Sequence, residues 1–137
     1  MSATHEGSIL AIFLHSGDYD RLHQGLSIAA AGAALGRRVE VYFFWWALER
    51  ILTDRLDEPD FPDREDIGAR FEARGLPTLR SLLAHLRASG QVTLVACSGS
   101  LAAIGRTPAE VEGRVDTLLG WTAILARTAG VTDRFYL

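Results

Sequence analysis

The chain has 137 residues, 48% hydrophobic and 23% charged, with a formal net charge of -3 and a pI near 5.8. That length suits one domain, residues 1–137, with its own core, and an acidic balance with scattered arginines supplies no basic footprint for nucleic acid. All 14 basic residues are arginine, which excludes a Schiff-base lysine and the phosphate lysine of a P-loop.

Ser8 to Leu14 and Val39 to Phe44 are short, rich in Ile, Val, Leu, Phe and Tyr, and mostly apolar on both faces, as strands inside a parallel sheet are. Between them Asp18 is placed to cap a helix from about Tyr19 to Leu35, with Leu22, Leu26, Ala29, Ala30 and Ala33 as its apolar stripe and Gly36 as its stop. The stretch Thr53 to Glu65 holds six carboxylates among Pro59 and Pro62 and reads as a solvated surface loop. Leu79, Leu82, Leu83 and Leu86 then repeat at helical spacing up to Gly90, and Val92 to Ala96 is a third buried strand. Thr107-Pro108-Ala109-Glu110 matches a capping box with proline at the first helical position. A last helix is expected from about Thr117 to Thr128, burying Leu118, Leu119, Trp121, Thr122 and Leu125, followed by the segment Val131 to Leu137. Helices alternating with strands predict a three-layer α/β/α sandwich around a mostly parallel sheet of four or five strands.

In such sheets ligands bind outside the carboxyl ends of the strands. Three unusual sets fall there: His15-Ser16-Gly17-Asp18, Trp45-Trp46 and Cys97-Ser98-Gly99-Ser100. Cys97 is the lone cysteine, and a thiol where a strand turns into a helix meets the partial positive charge of the helix N-terminus, which favours the reactive thiolate. Unpaired cysteine is equally at home in a core as a small hydrophobe. Serine and glycine in the first and third turns are expected to present backbone N-H groups to a small anion. His15 is placed either to hold a proton or an anion beside the thiol or to bond structurally within the Ser16-Gly17-Asp18 turn; His5, His23 and His85 suit surface positions, and dispersed histidines with one cysteine predict no metal.

Spacing narrows the thiol chemistry. A cysteine phosphatase needs an arginine six residues after its nucleophile, where this chain has Ala103, and a dithiol centre needs a second cysteine where it has Ser100. What remains is a lone thiolate that takes a group and hands it on as a persulfide, or one that is oxidised to sulfenic acid. No internal disulfide is possible, the run Ile9 to Leu14 is too brief for a signal peptide, and Val41 to Leu48 falls far short of the ~18 residues of a membrane span. A cytoplasmic setting follows as the expectation. A mean hydropathy of +0.11 is high for a small monomer and predicts apolar surface covered by neighbouring subunits.

The first strand with Ser16-Gly17-Asp18-Tyr19-Asp20, the alanine-rich helix ending at Gly36, and Val39 to Leu48 resemble the opening unit of the DsrE/DsrF-like proteins of the sulfur-relay group. Leu94-Val-Ala-Cys97-Ser-Gly-Ser100, Ile104-Gly105 and Glu110 to Gly113 are similar to that family's cysteine loop and the segment after it. The likeness runs over nearly the whole chain. It implies a parallel sandwich assembling as homotrimers or homohexamers, no cofactor, and Cys97 at the sulfur-carrying position. On that reading Cys97 is catalytic, Ser98, Gly99, Ser100, His15, Ser16, Gly17 and Trp45 bind substrate, and the partners are sulfur-donor and sulfur-acceptor proteins or small sulfane-sulfur compounds. The alternative is a noncatalytic oligomeric binding or scaffold subunit in which Cys97 is structural.

Overall fold

The structure is a computed structural model that describes residues 9–58 and 60–137; Ser8, His5 and Pro59, named above, lie outside them. Among the described residues the order is β1 (Ile9–Leu14), α1 (Tyr19–Ala34), β2 (Arg38–Phe43), α2 (Trp45–Ile51), α3 (Asp66–Arg74), α4 (Leu79–Ala88), β3 (Val92–Cys97), α5 (Ser98–Ala103), α6 (Pro108–Val111), β4 (Thr117–Leu119), α7 (Trp121–Arg127) and β5 (Asp133–Tyr136). The strands form one sheet in the order β4-β3-β2-β1-β5, parallel at every pairing. This is the α/β architecture and parallel sheet expected from the sequence.

Alternation along each strand divides the side chains between two faces. Leu10, Ile12 and Leu14 of β1, Val39, Val41 and Phe43 of β2, and Leu94 and Ala96 of β3 share one face with Leu22 and Leu26 of α1, Leu48 of α2, and Leu79, Leu82 and Leu86 of α4. Each such leucine removed from water contributes about 1.5–3 kcal/mol, so this face holds most of the burial energy. Gly32 lets α1 lie close to the sheet: a Cβ there would meet Leu10 Cδ2 at 2.7 Å. The other face carries Ala11, Phe13, Tyr42, Phe44, Val95 and Cys97, and the buried side chain that α7 brings to it is Ile124.

Several local expectations change. The expected helix from Thr117 divides at Gly120, because Asp116 latches the chain to β3: its N-H donates to Leu94 O at 2.8 Å and its carboxylate accepts from Leu94 N-H at 2.7 Å. Residues 117–119 therefore pair as a strand, and the helical face rotates. Ile124 is buried, while Leu125 is 60% and Trp121 50% exposed. At Thr107 no side-chain cap forms; the Glu110 carboxylate pairs instead with Arg106 at 3.3 Å, leaving only proline's fixed φ to start α6.

The acidic segment lies on the surface as expected, with five of its six carboxylates exposed, but it is also tied down at several points. Leu56 is buried, Phe61 packs edge-on to Tyr19, and Asp60 accepts the Tyr19 N-H at 3.1 Å. Asp60 thereby caps α1, whereas Asp18, though at the cap position, makes no side-chain cap bond. Arg50 ties the segment to the site, donating to Gly17 O at 3.2 Å and pairing with Asp60 at 3.3 Å. Helix α3 has no counterpart among the expected elements; it buries no residue, so it lacks the apolar stripe by which helices are read from sequence.

Candidate functional site

Strand parallelism brings the ends of β1, β2 and β3 to one edge, and there a cavity of about 440 Å³ opens. His15, Trp45 and Ser100 line it, one from each strand-end set expected from the sequence. Phe13, Phe44, Trp121 and Tyr136 form its aromatic walls, with Arg21 and Leu137 completing the lining. Among the described residues the cationic side chain in that lining is Arg21, with the His15 ring beside it, and no aspartate or glutamate takes part.

The walls follow from register. Tyr136 of β5 sits opposite Phe13 of β1, and Phe13 opposite Tyr42 of β2. Their rings stack with centroids 4.8 Å and 5.1 Å apart. On the other side Phe44 stacks on Trp121 at 4.9 Å, so Trp121 does pack, as a half-exposed wall rather than as core. Such pairs contribute about 0.5–1.5 kcal/mol beyond area burial.

Trp45 holds a left-handed φ of 44°. A bulky side chain there stores about 1–3 kcal/mol of backbone strain, of a kind that gathers at ligand sites. The strain turns the chain from β2 into α2 and leaves Trp45 40% exposed at the rim. Trp46 goes the other way: its backbone O lies 2.8 Å from where a Cβ on Gly17 would stand, so only glycine fits beneath it. Gly17 and Trp46 line a separate hollow with Arg50 and Arg106.

The first turn does not present free amides as expected. His15 and Ser16 N-H both donate to Leu137 O, at 3.4 and 3.2 Å, and Asp18 N-H donates to Ser16 Oγ at 3.1 Å. The run-out of β5 beside β1 consumes the His15 and Ser16 donors, and the side chains of His15 and Arg21 line the cavity there.

Cys97 is the last residue of β3 and directly precedes α5, as its sequence context implied. Its side chain, however, is 2% exposed, packed in the apolar cluster with Phe13, Phe44 and Ile124, and it does not line the cavity. Ser98 and Gly99 are exposed beside it; Ser98 Oγ faces Gly120, at 3.3 Å from a Cβ position there. The sequence reading thus assembles His15, Trp45 and Ser100 at one cavity and leaves the thiol behind its wall.

A polar group missed in the sequence supports that wall. Glu40 of β2 is buried at 4%, accepting from Tyr42 Oη at 2.6 Å and from Arg127 Nε of α7 at 2.9 Å. Burial, reinforced by the hydrogen bond to the Glu40 carboxylate, pushes the Tyr42 hydroxyl well above its ordinary 10.0. The ion pair fixes the end of α7, whose beginning is Trp121. A charged residue in an otherwise apolar strand, Val39-Glu40-Val41, was the available sequence signal. Among the described residues no group of His, Cys, Asp or Glu gathers as a metal site would require, and no helix is long and apolar enough to cross a membrane.

No family model matches the chain, and no curated protein matches it. Among solved structures it is similar to the protein of unknown function MTH1491 from Methanobacterium thermoautotrophicum, at 18% identity and a TM-score of 0.57, over 95% of this chain and 99% of that one. At that identity the likeness concerns the fold, and it extends over the whole α/β unit.

Proposed function

We propose that the chain binds a small molecule in the cavity at the carboxyl edge of its sheet, and that this molecule joins an anionic head to a flat apolar body. The observation that carries the reading is the lining itself: two aromatic stacks at a hollow whose cationic side chain is Arg21, with the His15 ring as a further polar group and, among the described residues, no carboxylate side chain opposing them. A volume near 440 Å³ suits a small organic ligand, and π-faces with a guanidinium at one end select for a planar anion. Naphthalene-2-sulfonate is a direct probe. Binding is expected to weaken about tenfold in Trp121→Ala and about tenfold in Arg21→Gln, a range set by one aromatic contact or one charge-assisted hydrogen bond. Equal affinity in wild type and both variants would overturn the reading.

A second, narrower reading is favoured by the position of Cys97 between β3 and α5, beside exposed Ser98 and Gly99, and by the resemblance to DsrE/DsrF-like proteins. The protein is then a sulfur carrier. With thiosulfate as donor, the Cys97 thiolate attacks the outer sulfur, a new S-S bond forms, the donor's S-S bond breaks and sulfite leaves with the electron pair. A partner thiolate then takes that sulfur and regenerates Cys97, in a cytoplasmic homotrimer or homohexamer. The thiol's 2% exposure makes movement of Phe44 or α7 a requirement of this reading, since a thiol sealed among apolar groups is inert. Intact mass after thiosulfate or polysulfide treatment is expected to rise by one sulfur atom, and not in Cys97→Ser. An unchanged mass with every donor leaves Cys97 as packing and the chain as a binding subunit.

A further inference from the structure

Away from that edge, α4 presents a second surface. Leu79, Leu82 and Leu86 face the core, while Arg80, Leu83, Ala84, Arg87 and Ala88, at helical spacing, line one wall of a groove of about 520 Å³. Ile51, Leu56 and Arg114 form the opposite wall. Among the described residues the floor is aliphatic, the three charged side chains are all guanidinium groups, and no carboxylate side chain lines it.

The way these arginines are held distinguishes the groove from the chain's ordinary ion pairs. Arg87 donates from Nη1 to Arg114 O at 3.3 Å and from Nη2 to Gly113 O. Arg114 donates from Nη1 to Ile51 O at 3.1 Å. A main-chain carbonyl orients a guanidinium without neutralising it, so part of the ordering cost of anion binding is met in advance while the charge stays available. Two carboxylates stand nearby. Asp57 lies 3.7 Å from Arg80 Nε, and Asp54 lies 4.0 Å from Arg114 Nη2 with its own side chain fully exposed. The exposed Asp54 contact contributes little and yields to a better-placed anion, whereas Asp57 is held beside Arg80 by accepting its backbone N-H at 3.0 Å, which leaves Arg87 and Arg114 as the available pair.

We propose that this groove is a second ligand site, for a small amphipathic oxyanion: a carboxylate or phosphate head held by Arg87 and Arg114, on a short alkyl body lying against Leu83, Ala84, Ile51 and Leu56. It is independent of the aromatic cavity and differs from it in chemistry, with aliphatic walls where the other has rings.

Isothermal titration with octanoate and octyl phosphate tests it, with octanol and inorganic phosphate as controls carrying one half of the chemistry each. At least one amphiphile is expected to bind at least about tenfold more tightly than either control, since a charge-assisted hydrogen bond is decisive on that scale; the tighter amphiphile identifies the head group. Arg87→Gln is expected to weaken binding by a similar factor. Ala84→Glu provides the cleaner variant, because position 84 is exposed, glutamate is a good helix former, and the new carboxylate repels the anion without removing any bond above. Trp121→Ala should leave octanoate affinity unchanged, which separates this site from the edge cavity. The proposal is overturned if neither amphiphile binds more tightly than both octanol and inorganic phosphate, or if Ala84→Glu binds as wild type.

Discussion

The two faces of the sheet are built on different principles. One packs leucines from α1, α2 and α4 against Val, Ile, Leu and Phe of the inner strands and buries them almost completely. The other relies on the single short helix α7, and its contacts are ring stacks and a buried ion pair. Aliphatic packing is non-directional and stabilises through area; stacks and ion pairs have geometry, and they stabilise less while fixing where side chains point. The thickly covered face therefore holds the fold, and the thinly covered one shapes the cavity.

Substitutions can separate the two. Leu86→Ala, on the thick face and fully buried, should cost about 3 kcal/mol in denaturant unfolding while leaving naphthalene-2-sulfonate affinity in the remaining folded protein intact. Arg127→Gln strands the Glu40 carboxylate. Breaking a fully buried pair costs about 3–5 kcal/mol, and with the Arg127 side chain 38% exposed about 2 kcal/mol is expected, together with weaker probe binding as α7 loosens.

Tyr42→Phe should cost about 1–2 kcal/mol at neutral pH, the scale of a hydrogen bond to a charged group. Its pH signature has a definite sign. Because the folded Tyr42 hydroxyl ionises above its ordinary 10.0, its contribution is full below about pH 10 and is lost as pH rises through that value toward the folded pKa. Wild-type stability should fall across that alkaline window and Tyr42→Phe should flatten the fall. The flattening is partial because burial raises Tyr19 as well. Smallest in stability is Trp121→Ala, at about 1 kcal/mol for a half-exposed stacked ring. A thin-face substitution that left the cavity unchanged, or Leu86→Ala abolishing binding in folded protein, would erase the division.

Much of this was legible in the chain. β1, α1, β2, α4 and β3 each carry a sustained period or an unbroken apolar run, and the strand-end positions of His15, Trp45 and Ser100 follow once the strands are parallel. What escaped depends on partners distant in sequence. A three-residue strand such as β4 has no period to detect; its identity comes from Asp116 bonding Leu94. The cavity walls arise because β5 crosses to the far side of β1, setting Tyr136 beside Phe13. Cys97 shows the same limit: its place between strand and helix is written locally, but its burial is decided by Phe44 and Ile124.

Amide chemical-shift mapping during titration with naphthalene-2-sulfonate tests most directly whether the thinly covered edge is the working site. Saturable shifts confined to His15, Arg21, Trp45, Ser100, Trp121, Tyr136 and their immediate neighbours are the expected result. Shifts centred on α4 or on α1 beyond its first turn, or a spectrum unchanged at millimolar probe, would contradict it.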